Sequence, residues 1–559
     1  MTAARVLKGL GALLLGALLI GCSSKPTGQE GDSQTNWLEA CREDSQCATG
    51  NKCLCGVCTR ACTVPKTCTT AQQGSCVPSD ENGVLVQCGG SRPPAPGLCL
   101  IRCADASGCA SNQACIAGIC SPLPDAPIDV TVDLDTRHQE LVGFGASVAY
   151  GEGQITGHPQ QVALYQDIFT RLGLDILRFR NRFQHTGDDD LKTAGELVSA
   201  GNSTLGRPLG VFLSTWSPPA TLKANNALVC NGNVQTCTLA KNAAGGFDYA
   251  GLADYWVSSL GAYAKVGLVP DYIGIQNNPN YIPSSAESNE ACRFLPTEGT
   301  VPVPFGASTV MVTYPGMAQA QSAMVDALAG LTNRPKLLAP ESSGVDSVAD
   351  YAASLDISKV DALAHQLYGV NPAMADLDAL AAIGQAATQY NRPLFVTEMQ
   401  AAGFDTAVLI HYATVVEGAS AYLQAALTGP MSGPLTNTQA LLGIDSAKYE
   451  LQDPYYAMRH FAAHTDPGWT RVESTVLAGS GLLISAWQSP SGQDLTLVLI
   501  NNRSVELSAR LNLPGDWSTS DVTRSVFSGV ERWAALGALP SQGVLRMPPE
   551  SVITVALSR

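Results

Sequence analysis

The chain has 559 residues, 45% hydrophobic and 14% charged, with a formal net charge of −15. That much apolar material excludes a mainly disordered protein, and the length predicts more than one domain. The acidic balance opposes binding to a phosphate backbone, so no nucleic-acid partner is expected.

Residues 1–22 begin with Arg5 and Lys8 and continue in an apolar run from Leu10 to Ile20. The run is about half the ~20 residues a membrane-spanning helix needs, so it reads as a signal peptide. Leu19-Ile20-Gly21-Cys22 resembles the lipobox of bacterial lipoproteins. The resemblance implies acylation at Cys22 and an exported protein anchored to a membrane, at the cell surface or the periplasmic face. The other reading is an ordinary secretory signal with an incidental cysteine. Residues 23–40 form a polar tether.

The 18 cysteines are uneven: Cys22 alone, fourteen from Cys41 to Cys120, then Cys230, Cys237 and Cys292. Cys41, Cys47, Cys53 and Cys58 have a spacing that Cys103, Cys109, Cys115 and Cys120 repeat without a gap. In an exported chain an even number of cysteines in so small a segment predicts a disulfide-rich module over 41–120, of undetermined connectivity. Zinc at Cys55 and Cys58 is the lesser alternative, since no histidine accompanies them. A spacer is favoured over a glycan-contacting module because aromatic residues are few. Residues 121–127, rich in proline, read as a stiff linker.

From there, short apolar runs alternate with helical stretches. Strands are predicted at Leu141–Ser147, Asp175–Arg178, Leu209–Thr215, Asp271–Gln276, Lys336–Ala339, Val360–Leu367, Leu394–Thr397 and Ala419–Leu423. Helical spacing occupies Gln160–Leu172, Tyr249–Val266, Ala318–Leu331 and Asp376–Gln389. Polar residues able to do chemistry fall just past the strand ends, which favours a (β/α)8 TIM barrel over 136–450 rather than an open doubly wound sheet. Period-two runs at Gly481–Trp487, Leu495–Ile500, Val505–Leu511 and Ser551–Leu557 predict an antiparallel β-sandwich over 451–559, joined by a strand at 128–135.

Six segments then carry a resemblance. Leu141–Ser147, Leu172–Arg178, Ser214–Ala220, Ile273–Asn277, Phe395–Met399 and Pro467–Val472 are, in this order, similar to glycoside hydrolase family 30. The resemblance covers about 128–559. It implies a barrel with an appended β-sandwich and retaining cleavage of β-linked glycans. No metal or cofactor is implied.

Retaining glycosidases use two carboxyls about 5–5.5 Å apart, one a nucleophile and one a general acid that later acts as base. Glu398, closing the seventh strand, stands at the family's nucleophile position. Where the family has Asn-Glu-Pro after the fourth strand, this chain has Asn277-Asn278-Pro279. An amide cannot protonate a leaving group, and the loss is expected to cost about 10²–10⁴ in rate. Two weaker departures accompany it. On the sixth strand either Gln366 replaces the family's histidine or His365 is displaced by one residue. On the eighth, Ala425 stands where Trp is common. Glu341 is the leading substitute acid by position and Glu152 the second, though each reads more readily as a rim residue binding a sugar hydroxyl. Asp188–Asp190 reads as a solvated loop.

The remaining features suit a sugar cleft. Arg178 is placed to hold the Glu398 carboxylate, Trp216 to offer a flat face to a pyranose ring, Asn277 to contact the 2-hydroxyl and Tyr368 to orient Glu398. Cys230 and Cys237 are expected to form a local disulfide, leaving Cys292 free. The stretch from Asn280 to Met311 reads as a long loop shaping subsites. No basic cluster follows the eighth strand, so a glucuronate branch is not favoured. Three functions remain open: a monomeric, surface-tethered glycosidase acting on a β-linked polysaccharide, with Glu398 as nucleophile; a carbohydrate-binding lipoprotein with a silent cleft; and, least favoured, an adhesion protein in which the cysteine module contacts the partner and the barrel is scaffold.

Overall fold

The computed structural model describes short stretches between 47 and 122. It also describes residues 127–559, apart from 188–190, 285–286, 288, 432–437, 477–479 and 541–542. The signal peptide with Cys22, the tether 23–40, many cysteines of the 41–120 module and Asp188–Asp190 lie outside the described residues.

Eight strands close into a parallel barrel. They are β1 (Gly143–Ser147), β2 (Ile176–Arg180), β3 (Gly210–Ser214), β4 (Tyr272–Gly274), β5 (Lys336–Ser343), β6 (Ala362–Gln366), β7 (Leu394–Met399) and β8 (Ala421–Gln424). They pair in chain order, and β8 returns to β1. All eight overlap the predicted apolar runs, although β5 continues to Ser343, past the predicted end at Ala339. Such runs suit strands buried on both faces, by helices outside and by one another's side chains inside. Ile176, Phe212, Leu338, Ala364, Phe395 and Leu423 cluster within the barrel. Helices Lys192–Leu205, Tyr249–Lys265, Met317–Leu328, Leu377–Gln389 and Gly403–His411 form part of the outer layer. Asp376 caps the fourth of these by accepting from the Ala379 N–H.

Three local expectations change. The predicted helix at Gln160–Leu172 is a short α-helix, Gln161–Tyr165, that widens to a π-helix over Gln166–Arg171. β4 ends at Gly274, because Asn277 N–H turns to Thr215 O and Asn278 N–H to Glu341 O. The long loop after β4 contains an antiparallel hairpin, Gly299–Phe305 with Ser308–Tyr314. Its alternating valines with Gly306 at φ 61° form a period-two hairpin signal.

The C-terminal strands form a curled, almost wholly antiparallel sheet of nine strands. The strand Ile128–Glu140 joins it, antiparallel to Thr470–Thr475 and parallel to Leu507–Asn512. Val130, Val472, Leu497, Leu507 and Val555 lie in its core. Helix Asp453–Ala462 ties sheet to barrel: Phe461 and Trp487 both pack on Phe144 of β1. His460 from the same helix lies between the hydroxyls of Ser525 and Thr554, each at 2.8 Å.

In the cysteine-rich segment Cys47 pairs with Cys58, Cys62 with Cys76 and Cys68 with Cys99. Cys58 is thus a disulfide partner, not a zinc ligand. The repeated spacing also yields a repeated backbone. Cys53 faces Cys58 across one short antiparallel ladder, as Cys115 faces Cys120 across another. Ser121 and Pro122, read as the start of the linker, instead continue the strand Ile119–Pro122.

Candidate active site

The site is organised by Arg178, which alternation on β2 points into the barrel and which is fully buried. Its Nη1 donates to Glu398 Oε2 at 2.5 Å. Its Nη2 reaches Asn277 Oδ1 at 2.7 Å and Glu341 Oε1 at 2.8 Å. Burial acts to lower the Arg178 pKa, but the Glu341 and Glu398 charges outweigh it and hold it above the ordinary value. The guanidinium carbon lies 4.3 Å from the Trp216 ring centroid and 5.3 Å from that of Phe212. Half-buried Trp216 therefore covers the arginine as well as standing at the end of β3.

Both carboxylates face inward because their strands are irregular. Counting in twos from Phe395 would aim Thr397 inward and Glu398 outward. The ladder with β6 shifts so that Gln366 lies opposite Glu398, and the nucleophile position turns into the mouth. A second shift between Pro340 and Ser342 does the same for Glu341, whose φ is 57°.

Glu398 is 8% exposed. Its Oε1 accepts from Tyr368 Oη at 2.7 Å, and Gln366 Nε2 lies 3.4 Å from Oε2. Burial, and then the Glu398 charge, push the Tyr368 phenol above its ordinary range, so it stays a donor. Gln366 also donates to Asn277 Oδ1 at 2.7 Å. The two alternatives for the sixth strand are thereby separated. Gln366 occupies the inward position, while His365 faces away, its Nε2 3.3 Å from Glu417 Oε2 in a fully buried pair.

Asn278 follows with φ 48°, a left-handed conformation that asparagine tolerates better than most residues. Its Oδ1 is buried without a hydrogen-bond partner. Ala425, half-buried, bonds through its N–H to Met399 O and offers the cleft no ring.

Glu341 corrects an expectation. Read as a rim residue and a possible substitute acid, it has no exposed surface and lies beneath the mouth. Ser214 Oγ donates to its Oε2 at 2.7 Å while Arg178 holds Oε1. Burial raises its pKa and Arg178 opposes the rise. Room for it comes from Gly274, where a Cβ would stand 1.6 Å from Glu341 Oε2. Glu152 is likewise buried, 3.8 Å from Arg182.

A second arginine was not singled out from the sequence, although period two on β2 pairs it with Arg178. Arg180 Nη1 donates to Glu290 Oε1 at 2.5 Å, and the exposed Tyr150 ring stacks on the guanidinium at 4.2 Å. Beside them Cys230 and Cys237 form a disulfide across seven positions. Lys223 donates to Ala291 O and to Leu228 O, tying down the same rim. Cys292 is free and buried, and burial pushes its thiol up to about 12.

No protein-family model matches the chain, and no curated protein does either. Solved structures do. A glycoside hydrolase family 30 subfamily 8 xylanase from Clostridium acetobutylicum aligns at TM-score 0.58 and 21% identity, over 77% of this chain and 100% of that one. The catalytic domain of a family 30 xylanase C from Talaromyces cellulolyticus aligns at 0.59 and 18%, over 77% and 100%. An endo-β1,6-glucanase aligns at 0.56 and 15%, over 77% and 94%. At these identities the likeness is one of fold: the chain has the barrel and appended β-sandwich of glycoside hydrolase family 30 structures.

Proposed function

We propose that this chain recognises a β-linked polysaccharide in the barrel mouth and cleaves it by the retaining route with Glu398 as nucleophile, slowly, because Asn278 replaces the acid/base. The observation that carries the reading is the convergence of Arg178 and Tyr368 on the two oxygens of Glu398. A carboxylate held from both sides is oriented for attack. Asn277, with Oδ1 committed to Arg178 and Gln366, has its amide nitrogen left for a sugar hydroxyl. Fold-level likeness to xylanases and a glucanase supports a β-glycan as ligand.

The burial of Glu341 favours the second reading, a carbohydrate-binding protein without turnover, because it removes the leading substitute acid. Reducing-sugar release and binding by the full chain on a panel of β-glycans decide between the two, with Asn278→Glu and Glu398→Gln alongside. Release that Glu398→Gln abolishes supports the glycosidase. Binding without release, with release by Asn278→Glu, supports the binding protein. In either case the proposal includes a monomer tethered through acylated Cys22 at the cell surface or periplasmic face; Cys22→Ala then moves it to the soluble fraction.

A further inference from the structure

The nucleophile side of this site is complete and the proton-donor side is not, and that asymmetry selects a substrate. The groups around Glu398 are Arg178, Tyr368 and Gln366, all hydrogen-bond donors. Among the described residues, no carboxyl near the mouth is placed to act as the missing acid. Glu341 is buried beneath the mouth with both oxygens bonded. Glu290 accepts from Arg180. Glu152 is buried beside Arg182. Glu287, on the loop after β4, accepts from Tyr281 and from Ser284, which lower its pKa and keep it ionised. The Tyr368 phenol is committed to Glu398.

What stands at the acid position is an amide whose buried Oδ1 has no hydrogen-bond partner among the described residues. An amide N–H donates a hydrogen bond but does not release its proton. It stabilises an oxygen that leaves carrying negative charge and does nothing for one that must leave as an alcohol.

Resting on the reading of Glu398 as a nucleophile, we propose that this site transfers the glycosyl group of β-glycosides whose aglycone departs as a stable oxyanion, a phenolate or carboxylate, and that the preferred acceptor is itself already ionised. In the first step a Glu398 oxygen bonds to the anomeric carbon. The carbon–oxygen bond to the aglycone breaks, and its electron pair leaves with the aglycone as an anion beside Asn278; no proton moves. In the second step an anionic acceptor, such as a carboxylate or azide, bonds to the anomeric carbon and Glu398 departs as carboxylate. Water is a slow acceptor because no base takes its proton during attack.

The test uses the full chain with β-glucosides and β-xylosides of dinitrophenol, nitrophenol and phenol, with and without sodium azide. The expected result is turnover of the dinitrophenyl glycosides, with kcat/KM falling roughly tenfold for each tenfold rise in aglycone basicity. Azide is expected to raise turnover by about tenfold or more and to yield the β-glycosyl azide, and Glu398→Gln abolishes both. Asn278→Glu flattens the dependence on the aglycone and removes the azide effect.

A parent whose kcat/KM is indifferent to the aglycone has a proton donor, which overturns the proposal. A parent inert on dinitrophenyl glycosides, beside an Asn278→Glu variant that cleaves β-glycans, overturns it while leaving the nucleophile reading intact. If both are inert and neither binds a β-glycan, the underlying reading falls as well. The aglycone series and azide product are read on the parent, so the proposal stays testable if Asn278→Glu fails to fold.

Discussion

Arg178 on β2 and Glu398 on β7 meet across the barrel mouth with 2.5 Å between Nη1 and Oε2. The register shift in β7 makes the meeting possible. The same guanidinium holds Glu341 and Asn277, so one buried cation joins β2, the turn after β4, β5 and β7. The site is a set of strand ends fastened to one arginine, and its chemistry and its stability are therefore coupled.

Arg178→Met leaves two carboxylates in the barrel without their cation. Removing one partner of a buried pair costs about 3–5 kcal/mol. The expected outcome is a loss of that size in denaturant unfolding, with part of it recovered by adding Glu341→Gln. Arg178→Lys is expected to fall between, because an ammonium cannot reach three acceptors from one planar fork. An Arg178→Met protein as stable as the parent would show that the pair is not buried as described.

Gly274 and Glu341 occupy one space. A Cβ at Gly274 would lie 1.6 Å from Glu341 Oε2, so Gly274→Ala must displace a carboxylate held by Arg178 and Ser214. Overpacking of this kind costs about 1–3 kcal/mol. In a Glu341→Ala background the same substitution should cost little, and unfolding midpoints of the four proteins measure that non-additivity.

The barrel was legible because its strands are apolar runs flanked by helical spacing, a pattern that burial on two faces imposes. Glu398 was legible as a carboxylate ending an apolar strand, but alternation places it outward from Phe395, and the resemblance alone gave it the nucleophile's place. The reason is physical: a bulge adds one residue to one strand, and no period in the sequence records it. The burial of Glu341 was missed for the same reason, and because the space it fills is an absent side chain on another strand. Arg180 and Glu290 were missed because their contact spans 110 positions in sequence. The hairpin after β4 could have been found from its alternating valines.

His460 gives the junction of barrel and sheet a pH dependence. It is fully buried between Ser525 and Thr554, and burial lowers its pKa to about 3, with Arg459 adding to the effect. The folded state thus prefers the neutral ring. Its contribution is complete above the ordinary histidine pKa of about 6.5 and is lost as pH falls towards the folded value. The span corresponds to roughly 4–5 kcal/mol at 1.36 kcal/mol per unit. His460→Gln keeps a donor and an acceptor but cannot titrate. The difference in stability between parent and His460→Gln should therefore shift against the parent between about pH 7 and pH 4, followed by unfolding in a pH series. A flat difference would show that His460 is not desolvated.

Asn278 has a backbone reason to be asparagine as well as a chemical consequence. Its φ is 48°, and its N–H is fixed to Glu341 O at 3.2 Å. Left-handed backbone costs most side chains about 1–2 kcal/mol, less for Asn and Asp and nothing for Gly. Asn278→Glu is therefore expected to gain about 10²–10⁴ in rate on an unactivated β-glycan while unfolding about 1 kcal/mol more easily. Asn278→Asp should keep the parent's stability and recover less activity, because its carboxyl is one carbon short of the leaving oxygen. Asn278→Gly should be the most tolerant backbone of the set and inactive on the same glycan. Thermal midpoints in the order Gly and Asp, then Glu, with rates in the order Glu, Asp, Gly, would separate the strain at this position from its chemistry. Equal midpoints for Asn278→Glu and the parent would show that the left-handed turn is not held there.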